Sequence, residues 1–315
     1  MTSSHPHEDR MPPGAAVEVA DGVFAYIQPD GSWWINNTAF LVGRQGVICV
    51  DSCATERRTR EYLAAIRAVT DRPIRALVNT HHHGDHTNGN RLLSPAAVIG
   101  HEGMREALID TGLPNPAYAA VWGEVPWGEL ELEPPFVTFP DRIALHVDDL
   151  RCEVAWAGTA AHTVSDSYVW IPDHSVLISG DLLFNGGTPF LLMGSIAGAI
   201  DVLENRIKPL CARTIVPGHG VICGPEVIDD VLDYLRHVQS VARRGREAGL
   251  TPLAAAREIG PGRFEDLMDA ERLVGNLYRA YAELDGAAPG APVDIFAALF
   301  DMVAYNGGKP LRCLA

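Results

Sequence analysis

The chain has 315 residues, 47% hydrophobic and 21% charged, a globular balance that excludes wholesale disorder and supplies a core for one large domain or two modest ones. With 25 Lys and Arg against 40 Asp and Glu, the formal net charge is −15; this acidic balance repels phosphate backbones and offers no basic patch, so neither nucleic acid nor a membrane is expected as partner. The opening MTSSHPHEDRMPPGAA has no basic start followed by an apolar run, and the six cysteines are scattered without a C-x-x-C pair, so a cytoplasmic chain with reduced thiols is expected.

Residues 1–16 are polar and contain Pro and Gly, which predicts a flexible arm carrying His5 and His7. VEVADGVFAYIQ alternates around an Asp-Gly turn, and TAFLVGRQGVICVDS reads as a second hairpin broken at GRQG. In that run Cys49 and Cys53 flank Asp51 and are expected as buried thiols. Tyr62, Leu63, Ile66 and Val69 recur at helical spacing over 55–69, with Arg57, Arg58 and Arg60 on the face assigned to solvent. PIRALVNT is a short buried strand, PAAVIGH another, and EGMREALIDTG a helix with a glycine stop. Residues 112–140, rich in Pro and aromatics and without a clear period, predict a long lid insertion. RIALHV, RCEVAWAG, SYVWIP and VLISGD are strand-like, GAIDVLENRIKPL is helical, and TIVPG is a last short strand. From 226 to 315 the pattern is helical, in EVIDDVLDYLRHVQSVARRGREAG, PLAAAREIG, FEDLMDAERLVGNLYRAYAEL and the apolar PVDIFAALFDMVAYNGG. That last stripe suits core or a homodimer interface.

One stretch stands out for its chemistry. VNTHHHGDHTNGN, residues 78–90, holds His81, His82, His83, Asp85 and His86 where a strand ends. On an extended segment His81 and His83 point the same way and His82 the other. Gly84 permits a sharp turn, after which Asp85 and His86 follow, so the loop divides into two adjacent donor sets. Imidazole with carboxylate suits zinc, and also iron or manganese. Farther on, His162, Asp181 and His219 each follow or end a strand-like run beside a small residue, where layered α/β proteins gather site residues. His82 and His101 are expected in structural or surface roles.

VICVDS, NTHHHGDHTNG, GTAAHT, ISGDLLF and VPGHG, in that order, closely resemble the metallo-β-lactamase fold hydrolase superfamily over about residues 17–225. The resemblance implies an α/β fold, a four-layer αββα sandwich with a dinuclear site between the sheet edges, here with a helical C-terminal extension packed on the core. Carried over, His81, His83 and His162 hold one metal, Asp85, His86 and His219 the other, and Asp181 bridges both. Asp51 lies behind them at the floor, and His82 is not a ligand. Two Zn2+ per chain are implied, with Fe or Mn chemically acceptable. The implied reaction is attack of a metal-bridging hydroxide on an acyl bond, with Asp85 orienting the nucleophile and passing a proton to the leaving group. Ser165 and Ser167 form no recognisable triad.

Many true β-lactamases of this superfamily have Cys or Ser where this chain has Asp181. In that respect the chain looks more like glyoxalase II, lactonases and related thioesterases, which makes a thioester, ester or lactone the expected substrate. ADGVFAYIQPDGSWWINNTAFLVG, with the helical tail, is also similar to thioesterase/cyclases of aromatic polyketide pathways. A β-lactamase is another alternative. From a different class comes an oxidoreductase resembling the mononuclear iron persulfide dioxygenases. Exposed aromatics are expected to select an apolar or aromatic acyl group: Trp33 and Trp34 at a hairpin tip; Tyr118, Trp122, Trp127 and Phe136 in the insertion; Phe184, Phe190, Leu191 and Met193 past Asp181.

Overall fold

The computed structural model describes residues 11–315, so His5 and His7 lie outside the described residues. β1 (Ala15–Ala20) and β2 (Val23–Ile27) pair antiparallel across the Asp21-Gly22 turn, so strand pairing begins inside the span expected for the arm. β3 (Thr38–Val42) and β4 (Val47–Val50) form the hairpin expected at GRQG. α1 (Glu56–Val69) starts where the Thr55 hydroxyl accepts from the Arg58 N–H, and leads to β5 (Ile74–Val78), parallel to β4. α2 (Gly84–Thr87), β6 (Ala97–His101), α3 (Glu102–Thr111), α4 (Ala119–Trp122) and β7 (Val137–Phe139) follow. The seven strands lie in sequence order in one sheet.

A second sheet holds β8 (Arg142–Val147), β9 (Leu150–Trp156), β10 (Ser167–Ile171), β11 (Val176–Asn185) and, after α5 (Ile196–Val202), β12 (Thr214–Gly220). Its order is β12-β11-β10-β9-β8, with only the β11–β12 pair parallel. α6 (Glu226–Glu247), α7 (Pro252–Glu258), α8 (Arg272–Leu284) and α9 (Ile295–Tyr305) complete the chain.

The alternation of strand side chains builds the layers. In β3 and β4, Ala39, Leu41, Ile48 and Val50 face the second sheet and meet Val154, Val169, Ile178 and Val216. Phe40, Val47 and Cys49, on the other face, pack under Tyr62 and Ile66 of α1. Leu177, Leu183 and Ile215 on the outer face of the second sheet belong to a third cluster with Leu232, Leu235 and Val238 of α6 and Leu273 and Leu277 of α8. Both sheets are therefore buried on two faces, and the layers run helix, sheet, sheet, helix, an αββα sandwich with a helical C-terminal region.

Several local expectations change. Arg58 is fully buried rather than solvated, donating to the carbonyls of Pro12 and Leu314 and so tying two distant segments to α1. The helix expected from Phe264 starts only at Arg272, because the intervening chain pairs with the loop after β11: Met268 N–H donates to Gly186 O, and Thr188 N–H to Met268 O. The 112–140 stretch divides in two. Its first part forms a short turn and α4, its last residues supply β7, and between them Trp127 O accepts from Glu56 N–H at the start of α1. No helix among the described residues is long and apolar enough to cross a membrane.

Candidate metal centre and its pocket

His81, Asp85 and His86 lie in the loop and short helix beyond β5, where the first sheet ends. From the second sheet come His162, between β9 and β10, Asp181 on β11 and His219 on β12. The ladder between β11 and β12 pairs Gly180 with Pro217 and next Phe184 with His219, so Asp181, Leu182 and Leu183 bulge against Gly218 alone. The bulge carries the Asp181 carboxylate past Gly218, where an added Cβ would lie 1.9 Å from Asp181 Oδ1. Gly180, at φ +50, lets the strand make that bend.

The donor atoms fall into two groups that could each hold a cation: His81, His83, His162 and Asp181, and Asp85, His86 and His219. Asp181 lies between them. Its Oδ2 is 3.3 Å from His162 Nε2 and 3.4 Å from His219 Nε2, and its Oδ1 is 3.1 Å from His86 Nε2. Asp85 Oδ2 is 3.2 Å from His219 Nε2. His81 Nε2, His86 Nε2 and Asp181 Oδ1 are buried and, close as the last two lie, none of them makes a well-aligned hydrogen bond among the described residues. Buried polar atoms left this way are costly, and donors converging on common points fit two divalent ions.

The far ring nitrogens are held from behind. His86 Nδ1 is 2.8 Å from Asp51 Oδ2, and Asp51 also accepts from the Thr80 N–H and hydroxyl. Thr80 Oγ1 is 3.0 Å from His81 Nδ1. His162 Nδ1 is 2.5 Å from Phe190 O, His219 Nδ1 is 3.0 Å from Gly31 O, and His83 Nε2 is 3.3 Å from the Met193 sulfur. Asp51 itself is buried at φ +62.

Charge divides the cluster. Burial, then the neighbouring His86 and His162, hold His81 well below the usual imidazole range; burial and His162 do the same to His83. Burial also opposes charge on His86 and His219, but Asp181 and Asp85 outweigh it, raising His86 well above that range and His219 to about 9. Burial pushes the carboxyls of Asp85 and Asp181 upward, yet His86 and His219 win and both lie below the usual carboxylate range. Such a set takes up a metal cation by releasing protons.

The chain between His81 and His83 is bent rather than extended, so alternation does not decide where His82 goes. His82 is buried beside the His83 ring, and burial lowers it to about 4. His101 is satisfied locally: its Nδ1 accepts from Gly103 N–H, and its ring stacks on Trp156.

A cavity of about 510 Å³ opens over the donor cluster. Trp33, Trp34, Tyr118, Trp122, Phe184 and Phe190 line it. They are less exposed than expected: Trp33, Trp122 and Phe184 are buried, and Trp33 and Trp34 belong to a broad connection rather than a hairpin tip. Met193 also lines the cavity, whereas Leu191 is core. Trp127 does not reach it but packs edge-on behind Trp34 at 4.8 Å, and Phe136 lies outside, fully on the surface. Sequence reasoning missed Arg272 of α8, and Ile295, Phe296 and Leu299 of α9, which also line it. The apolar helical spacing of α9 was visible, but the same spacing describes core.

The metallo-beta-lactamase superfamily model matches residues 31–219, more than half of the chain. A hydroxyacylglutathione hydrolase of Rhodospirillum rubrum is 26% identical over 227 residues, covering 70% of this chain and 76% of that protein. A type 2 metallo-beta-lactamase of Bacillus cereus is 23% identical over 207 residues, covering 64% of this chain and 73% of its own length. Among solved structures, a metallo-beta-lactamase from Pontibacter korlensis superposes with a TM-score of 0.60 at 16% identity, over 71% of this chain and 99% of that one, a likeness of fold. With the donor clusters at the meeting of two sheets and this match across both, the chain belongs to the metallo-beta-lactamase superfamily, most of whose members are metal-dependent hydrolases.

Proposed function

We propose that the protein is a dinuclear metal-dependent hydrolase of an acyl bond in a thioester, ester or lactone, with an apolar or aromatic acyl group. The observation that carries this reading is Asp181, whose carboxylate lies within 3.4 Å of imidazoles from both donor groups. His81, His83 and His162 would hold one ion, Asp85, His86 and His219 the second, with Asp181 shared. Two zinc ions so held supply a water acidic enough to ionise at neutral pH and a Lewis acid for the substrate carbonyl.

The chain's own groups do the rest. Asp51, Thr80 and the carbonyls of Gly31 and Phe190 fix the imidazole rings, so the donors need no reorganisation. Asp85 lines the cavity beside His219, where its carboxylate orients the attacking water and carries the proton to the leaving group. The aromatic wall excludes water and seats the acyl group. No serine or cysteine nucleophile is required.

Metal analysis of the purified protein, paired with a panel of thioesters, esters, lactones and a chromogenic cephalosporin, tests the reading. Two zinc ions with ester, lactone or thioester turnover is the expected result. One iron with dioxygen uptake, or cephalosporin turnover alone, would overturn it.

A further inference from the structure

The cavity is unusual in what it lacks. Beyond the donor cluster, its lining is mostly aromatic and aliphatic, with Trp122 packed edge-on against Trp34 and Tyr118 at 5.2 and 5.3 Å, and its neutral polar side chains are those of Asn88, Thr111 and Asn115. Leu113 and Phe296, both partly exposed, form its lip. Outside the histidines of the cluster, one cationic side chain lines it among the described residues, Arg272. That guanidinium is already committed. It lies over the Trp33 ring at 4.2 Å, its Nη2 is 2.8 Å from the buried Asp269 carboxylate, and its Nη1 donates to Thr188 O. The remaining charge at the mouth is negative: Asp294, which caps α9 through the Ala297 N–H.

An anion entering this cavity would lose water and meet no free counter-charge away from the floor, where the scissile carbonyl must lie. We infer that the site selects an uncharged, ring-bearing acyl group on a small neutral leaving group, an ester or lactone, and rejects substrates with an anionic tail, such as glutathione or nucleotide thioesters. The inference rests on the hydrolase reading above. In the balanced step, water adds to the carbonyl, the acyl C–O bond breaks, the alcohol leaves with one of the water's protons, the other proton is released to solvent, and the acid leaves as its carboxylate.

The test compares methyl 2-naphthoate with its 6-sulfonate on zinc-loaded protein; the two differ by one negative charge on the ring remote from the ester. The sulfonate is expected to show a kcat/KM at least about 30-fold lower, mostly through KM. Phe296→Lys, at the exposed lip, is expected to narrow that ratio at least about fivefold by supplying the missing cation. Likewise S-ethyl 2-thionaphthoate should outrun the glutathione thioester of the same acid. Equal kcat/KM for the two methyl esters would overturn the inference and leave the hydrolase reading standing. If neither ester turns over, the wider substrate panel decides the hydrolase reading, and calorimetry with the unreactive ketones 2-acetylnaphthalene and its 6-sulfonate decides the charge selection. Tighter binding of the neutral ketone supports the charge selection, and equal or weaker binding overturns it.

Discussion

Gly218 has no side chain to lose and yet decides where Asp181 goes. The carboxylate passes so close to Gly218 that any Cβ there would collide with it. Gly218→Ala must therefore either push Asp181 out of the cluster or break the β11–β12 ladder beside it. The expected result is metal content falling from two to one or fewer per chain, with hydrolysis reduced about 100-fold or more, since displaced ligands act through geometry. Metal analysis and circular dichroism together check it: a folded protein retaining both ions and full turnover would contradict this account. Asp51 makes the complementary point. Its carboxylate is divided between His86 and Thr80, so a residue remote from substrate fixes the ring of one donor and, through the Thr80 hydroxyl, bears on another.

At the scale of elements, the start of α8 is the joint between the helical C-terminal region and the site. Glu271 accepts from the Trp33 indole at 2.7 Å, while Arg272 covers the same ring and pairs with Asp269. Burial, which outweighs the attraction of Arg272, pushes the Asp269 carboxyl up. Arg272→Met would leave that carboxylate buried without its partner, and a loss of about 3–5 kcal/mol is expected by urea denaturation. Recovery of most of that loss by adding Asp269→Asn would confirm its origin. The elements also mark how far the sequence could be read. That His81, His83, His162 and Asp181 gather near one place was expected because each follows or lies on a strand, whereas their grouping as one donor set came only from the family resemblance. Their neighbours on the cavity wall were not. Phe296 and Leu299 obey the same helical spacing as core residues, and only the packing of α9 against the first half of the 112–140 stretch turns them toward a ligand. Arg58 deceived for a similar reason: Arg57 and Arg60 beside it are at least partly exposed, and what buries Arg58 is chain from near both ends of the described residues, which no local pattern foretells.

For the molecule as a whole, the origin of the donors matters as much as their chemistry. His81, His83, Asp85 and His86 belong to the end of one sheet, and His162, Asp181 and His219 to the other. Any ion held by either group therefore spans the seam between two sheets that otherwise adhere through apolar side chains and a few hydrogen bonds, such as Ser167 N–H to Thr80 O. An ion there is a removable rivet. At a free concentration a thousand times its dissociation constant it adds about 4 kcal/mol to the folded state, so stripping metal with a chelator should lower Tm by at least about 5 °C and readdition should restore it. A melting curve indifferent to chelation would mean that the seam carries no ion. In the cell, an ion so held would make metal supply a regulator of how long the folded protein lasts, and not only of how fast it works.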